Sequence, residues 1–301
     1  MIAHGRWLSR TAPRTAGLDP EVDARARAVM RDAARSFDLA ARFLPADLRR
    51  DVRRLYLVLR TLDDLVDHAV PGADGRLAMV EAWAVGGAPR GPEAPILEAL
   101  VAAHPDFPRD AVADLCLGMR TDLAGPRHAT GADLDRYCYQ VAGTVGRMMA
   151  AILGVAPGRE AEADLAARAL GAAMQRTNIL RDLREDAGRG RTYLPADCLL
   201  ASGLDPDPAS AGGGALDGWA PTACAAVLRE QIARADHDYE TGLAGIRHLR
   251  RGRWAVAAAA LLYREILREI ERGGLPPGPR RAVVSRRRKL ALLLTLPRAL
   301  P

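Results

Sequence analysis

The chain has 301 residues, 49% apolar and 27% charged, with a formal net charge of +6. That is enough chain for one large or two ordinary domains, and the balance excludes intrinsic disorder and collagen-like repeats. Lys289 is the only lysine, so the positive balance is arginine, and no basic run interleaved with aromatics argues for a nucleic-acid partner.

Only 4% of residues are aromatic while alanine is abundant, and alanine is the best helix former. The expected class is therefore all-α. Apolar periodicity predicts helices near 21–42, 47–69, 76–85, 95–103, 109–124, 132–153, 160–186, 221–249, 254–272 and 280–294. Pro71-Gly72, the Gly86 to Pro89 turn, Pro105 to Pro108, Gly125-Pro126 and Pro157-Gly158 punctuate them. Asp205 to Gly214 and Gly273 to Pro279 read as loops too short to separate domains, which predicts a single domain over 1–301 with a flexible segment near 1–18. The longest uncharged apolar run, Trp254 to Tyr263, falls well short of the ~20 residues of a membrane span. Met1 to Arg10 lacks the apolar core of a signal peptide. Cys116, Cys138, Cys198 and Cys224 share no CxxC spacing, so neither a disulfide scaffold nor a zinc knuckle is indicated. The expectation is a cytoplasmic protein.

One acidic pattern occurs twice. In Arg60-Thr-Leu-Asp-Asp-Leu-Val-Asp67, Asp63 and Asp67 stand at i and i+4 on one helix face, among Leu55, Leu59, Leu62 and Val66. Like charges at that spacing destabilise a helix, so something cationic must neutralise them. Arg53, Arg54 and Arg60 are candidates, as is solvent. His68 falls on another face and reads as a helix-end surface residue. The second occurrence lies 119 residues on: Asp182 and Asp186 are again i, i+4, with Asn178 and Gln175 continuing one polar ribbon along an otherwise apolar helix. Two facing carboxylate pairs offer hard oxygen ligands and leave room for waters and phosphate oxygens, as Mg²⁺ favours. Downstream, Gly188 to Pro195 (GRGRTYLP) adds arginines that, with Arg181 and Arg184, suit a diphosphate clamp or a solvated loop. Tyr137 to Met149 (YCYQVAGTVGRMM) carries small residues on a helix, which suits close helix packing or an elongated apolar ligand.

These segments resemble the squalene/phytoene synthase family of head-to-head prenyltransferases. The residues that carry the likeness are RSF at Arg35–Phe37, FLP followed by RRDVRRLY and RTLDDLVD, GMRTDL at Gly118–Leu123, YCYQVAGTVG at Tyr137–Gly146, QRTNILRDLREDAGRGRTYLP at Gln175–Pro195, and YREILREIERGG at Tyr263–Gly274. The likeness implies an isoprenoid synthase-type helical bundle around a central apolar cavity. It implies that Asp63, Asp67, Asp182 and Asp186 hold two or three Mg²⁺ ions bridging the diphosphates of allylic prenyl substrates. By the same likeness Tyr56, Arg60, Arg181, Tyr193 and Tyr263 are catalytic positions. Ser36, Tyr137, Gln175 and Asn178 would touch substrate, joined by Arg191 from the arginine-bearing loop.

The expected reaction joins two geranylgeranyl diphosphates to phytoene through a cyclopropyl intermediate, or farnesyl diphosphate to squalene-type products. NADPH is not indicated, since no GxGxxG signature is present. Some positions depart from the family pattern. Asp38 follows RSF where an aromatic is common, Ala34 replaces a small hydroxyl residue, Arg54 to Arg60 reads RLYLVLR, and Gly273 to Pro279 reads GGLPPGP. Asp38 is expected to face solvent, or else to bind a polar acceptor. Two alternatives follow: prenyl transfer to a small aromatic acceptor, and a catalytically silent helical subunit. The completeness of both acidic patterns weighs against the second. Peripheral contact with a membrane surface is left open by the basic balance.

Overall fold

The computed structural model describes residues 18–207, 218–275 and 281–299, excepting the side chains of 35, 36 and 295–299. Thirteen α-helices occur among them: α1 Pro20–Ala33, α2 Arg35–Ala41, α3 Ala46–Asp67, α4 Ala73–Ala84, α5 Ala94–Ala103, α6 Arg109–Ala124, α7 Gly131–Cys138, α8 Thr144–Leu153, α9 Glu160–Gly188, α10 Ala196–Ala201, α11 Pro221–Gly245, α12 Arg253–Gly273 and α13 Arg286–Ala299. No strand occurs among the described residues, where the nearest approach to one is an isolated bridge between Val155 and Leu249. The chain is all-α, as its composition predicts.

Local chemistry explains most boundaries. Asp19 caps α1 by accepting from the Glu21 amide at 2.9 Å, with Pro20 in the first turn. Thr130 and Asp133 form a reciprocal capping box at the start of α7. Where periodicity predicts one helix over 21–42, the backbone breaks at Ala34 (φ −133°, ψ 58°) into α1 and α2. The helix expected over 280–294 begins only at Arg286. α3 stops after Asp67 because Ala69 turns into the left-handed region at φ 45°, which lets the Val70 amide reach back to the Leu65 carbonyl at 2.9 Å.

α9 spans 29 residues, about 44 Å at 1.5 Å per residue, and runs through the middle of the bundle against α8, α11 and α12. On one side of it Leu55, Leu62, Trp83, Leu100, Leu115 and Met148 anchor a core shared by α1, α3–α6 and α8. On the other, Leu134, Leu180, Leu228, Tyr239 and Leu267 anchor a second core shared by α7 and α9–α12. A small third cluster, Ala40, Ile246 and Ala257–Ala259, is flanked by Phe37, Met174 and Val256. Alanines here leave short side chains where the helices face one another.

α7 and α8 form one rod interrupted by a wide π-turn at Tyr139–Gly143. The small residues of this segment serve close packing. A Cβ at Gly146 would run into the Ala167 carbonyl, and one at Gly171 of α9 into the Ala142 carbonyl. Residues 1–17, 208–217 and 276–280 lie outside the description, so the flexible segment expected near 1–18 and most of the loops expected at Asp205 to Gly214 and Gly273 to Pro279 are not described.

Candidate active site

The two acid couples sit at the C-terminal ends of long helices. Asp67 is the last residue of α3, and Asp186 lies two residues from the end of α9. A helix C-terminus carries partial negative charge, so carboxylates there call for a cation more strongly than they would elsewhere. The structure brings the couples to one place through the loop after α9. The Arg191 amide donates to the Asp186 carbonyl at 2.9 Å, while its guanidinium Nη1 lies 3.7 Å from Asp67 Oδ1.

Crowding shows in the acidities. Asp63 is pushed up to about 6 by partial burial and by Asp67, against the pull of Arg60. Burial and the neighbouring Asp182 raise Asp186 to about 7. Asp182 behaves differently. Burial alone would raise it, but Arg181 and Arg281 hold it below the usual carboxylate range. Arg281 Nε and Nη2 reach its two oxygens at 2.7 and 2.9 Å, and Arg181 Nε reaches Oδ1 at 2.9 Å.

The other expected site residues gather in two groups. Arg60 donates to Asp63 at 2.9 Å and pairs with Asp64. Its neighbour Tyr56 is pushed up to about 12 by burial. Tyr263 lies beside Arg181 and Tyr56, and its ring meets Phe37 at 5.0 Å. Asn178 donates from Nδ2 to Gln175 Oε1 at 3.3 Å, which leaves Asn178 Oδ1 buried and without a hydrogen-bond donor. Tyr137 and Tyr193 are both buried, and both hydroxyls donate to Asp122. Ser36 lies in α2, outside the described side chains.

Several expectations need correction. Asp38 does not face solvent: it is 7% exposed and paired with Arg53 at 3.1 Å and Arg42 at 3.4 Å. Its charge is thereby spent inside the bundle, where no acceptor is needed to satisfy it. Arg53 and Arg54 do not neutralise the first couple, because Arg54 is buried against Asp23 at 2.7 Å. Arg189 pairs along its own helix end with Glu185 at 2.8 Å. His68 caps α3 at the surface, as its position predicts, with Nδ1 2.9 Å from the Asp64 carbonyl.

Two residues of the site escape sequence reasoning. Arg281 stands 99 residues along the chain from Asp182, and only the folded chain brings the two together. Asp122 is a lone acid whose only signal is its place in the GMRTDL segment, one turn after Gly118.

Among the described residues, no three His, Cys, Asp or Glu side chains close on a single ion position. Mg²⁺ does not demand such a cage, since it keeps several waters and takes one or two carboxylates plus substrate phosphates. The donors suit it. They are hard oxygens, two carboxyls are raised by burial and by a neighbouring carboxylate, and the orphaned Asn178 Oδ1 stands one turn from Asp182.

The squalene/phytoene synthase family profile matches residues 30–288. The chain belongs to the squalene/phytoene synthase family. Phytoene synthase of Thermus thermophilus is 40% identical over 272 residues, covering 89% of each chain. Phytoene synthase 2 of Solanum lycopersicum is 38% identical over 95% of this chain and 92% of its own. Among solved structures, a ligand-bound dehydrosqualene synthase superimposes with a TM-score of 0.80 at 27% identity, over 92% of this chain and 96% of its own. Squalene synthase HpnC from Alicyclobacillus acidocaldarius shares the fold, with a TM-score of 0.68 at 23% identity. The family's enzymes are prenyltransferases that condense prenyl diphosphates head to head with the help of a divalent metal. The bundle is therefore of the isoprenoid synthase type. No helix among the described residues is long and apolar enough to cross a membrane.

Proposed function

We propose that this chain condenses two geranylgeranyl diphosphates head to head, through a cyclopropylcarbinyl diphosphate, to phytoene. The observation that carries the reading is the meeting of two acid couples from α3 and α9 across Arg191, in a chain related over most of its length to phytoene synthases. Held by Asp63 and Asp67 on one side and Asp182 and Asp186 on the other, with Asn178 and Gln175 adjoining, two or three Mg²⁺ ions would supply the positive charge that draws pyrophosphate from the allylic carbon.

The chain's own groups do the rest. Arg60, Arg181 and Arg191 offer forked donors to diphosphate oxygens that lie beside the carboxylates. Ionisation leaves an allylic cation that water would quench, so the prenyl chains must lie among apolar side chains. Phe37, Met174, Val256 and the alanines of α12 form such surroundings next to Tyr56 and Tyr263. By likeness to the family, Tyr137 and Ser36 would add further substrate contacts.

Transfer to an aromatic acceptor finds no such support, because the acid that motivated it, Asp38, is already neutralised by Arg42 and Arg53. Incubating the purified protein with Mg²⁺ and C10, C15 or C20 diphosphates tests the proposal. Phytoene from the C20 substrate, identified by mass spectrometry, is expected. A C30 hydrocarbon from farnesyl diphosphate alone would move the substrate assignment, and pyrophosphate release that requires an added aromatic would overturn the reaction.

A further inference from the structure

Asp122 stands near the end of α6, outside both acid couples. Its Oδ1 accepts from the Tyr137 hydroxyl at 2.9 Å and from the Tyr193 hydroxyl at 3.0 Å, and Oδ2 lies 3.1 Å from the Tyr137 hydroxyl. The two rings meet at 5.3 Å between centroids. His128 packs on both, at 4.9 Å from Tyr137 and 6.1 Å from Tyr193. All three rings are less than a tenth exposed. Burial lowers the His128 imidazole toward its neutral form, and its Nε2 has no partner, so it contributes a wall and no competing donor to Asp122.

A phenol carries one hydrogen. Once that hydrogen is committed to a carboxylate, the oxygen can meet anything else only through its lone pairs. Bonds to an ionised acceptor are among the stronger hydrogen bonds, so the two O–H dipoles are fixed in direction. Their oxygen ends lie toward the acid-lined end of the bundle: Asp122 is within the field of Asp67 and Arg191, and Tyr193 within that of Asp186.

We infer that Asp122 is a positioning residue of the head-to-head reaction, holding Tyr137 and Tyr193 as oriented dipoles whose lone pairs face the allylic cation left when pyrophosphate departs. This rests on the reaction proposed above. Dipoles already aimed at a developing charge need no reorganisation when it forms, which is where enzymes gain most. Neither tyrosine could keep this direction alone, since a hydroxyl without a fixed acceptor rotates to donate to whatever is nearest.

Asp122→Asn tests the assignment. The amide nearly keeps the shape and keeps one oxygen to accept from both phenols, but it removes the charge that fixes them and sets an NH₂ donor beside the Tyr137 hydroxyl, where Oδ2 lies at 3.1 Å. With the Mg²⁺-loaded enzyme and geranylgeranyl diphosphate, kcat is expected to fall about a hundredfold, the usual cost of one lost electrostatic group. KM is expected to stay within about threefold, and the Mg²⁺ concentration for half-maximal rate within about twofold, because the ligand carboxylates are untouched. Asp122→Glu should recover most of the loss. Tyr137→Phe should cost far less in the Asp122→Asn background than alone, since the pair acts as a unit.

A large shift in the Mg²⁺ requirement would make Asp122 a metal ligand and overturn the assignment. So would independent, multiplying losses for Asp122→Asn and Tyr137→Phe, or a loss that follows the circular dichroism melting curve. A wild-type enzyme that forms no head-to-head product removes the reaction reading itself. A wild-type enzyme that forms phytoene beside an equally active Asp122→Asn removes only this inference.

Discussion

Asp63 and Asp67 on α3 share their spacing and helix-end location with Asp182 and Asp186 on α9, yet the two couples are balanced differently. The first relies on Arg60 at 2.9 Å from Asp63 and on Arg191 at 3.7 Å from Asp67, and Asp63 stays raised. In the second, two guanidiniums converge on Asp182 and depress it, which leaves Asp186 as the raised member. The same i, i+4 spacing thus acquires different electrostatics, because Arg281, remote in the chain, joins the adjacent Arg181 on Asp182. Each couple keeps one carboxyl that a cation would stabilise.

The sharpest way to break this pairing is to delete one acid from each couple. Asp63→Ala and Asp182→Ala are each expected to lower turnover by about a thousandfold, with the helical circular dichroism signal unchanged. Full activity in either variant would show that its couple is not needed.

Acidity provides the next test. Asp63, at about 6, and Asp186, at about 7, hold protons in the fold that the unfolded chain releases near its ordinary carboxylate value. The folded state therefore binds more protons across that interval, and the metal-free protein should lose stability as pH rises from about 4 to about 7. Mg²⁺ reverses the repulsion only for ionised groups. Its addition should raise the melting temperature more at pH 8 than at pH 5.5, as calorimetry would reveal, and an equal rise at both would contradict the assignment.

A smaller change makes the couples more alike. Arg281→Ala removes one of the two cations on Asp182, and the Asp182 carboxyl should move up toward the behaviour of Asp63 in a carbon-13 titration. An unmoved Asp182 would mean that Arg181 alone sets it. The least effect concerns the end of α3. Ala69 occupies the left-handed region at φ 45°, which costs a residue with a Cβ about 1 kcal/mol relative to glycine. Ala69→Gly should therefore raise the melting temperature slightly without altering activity.

Much of this was legible in the sequence because it is local and periodic. Most helices follow from apolar spacing, though the six-residue α10 does not, and the acid couples follow from an i, i+4 repetition with Asn178 one turn earlier. What escaped is what only packing decides. Asp38 reads as a surface acid until Arg53, fifteen residues away, is folded against it. Asp122 has no periodic partner, and its meaning comes from two hydroxyls that arrive 15 and 71 residues later. The break at Ala34 leaves the apolar stripe intact, so periodicity runs straight through it. The π-turn likewise changes the backbone without changing composition.

That π-turn has a further implication for anyone redesigning the enzyme. Gly143 and Gly146 are keyed to the backbone of α9, while Tyr137 on the far side of the wide turn is keyed to Asp122. Deleting any one of the five residues Tyr139–Gly143 would let the rod close into a regular helix. The upstream half would then swing by about 100°, one residue's share of a 3.6-residue turn. Such a deletion would leave every side chain of the site in the polypeptide and still disarm it, by turning one phenol out of phase.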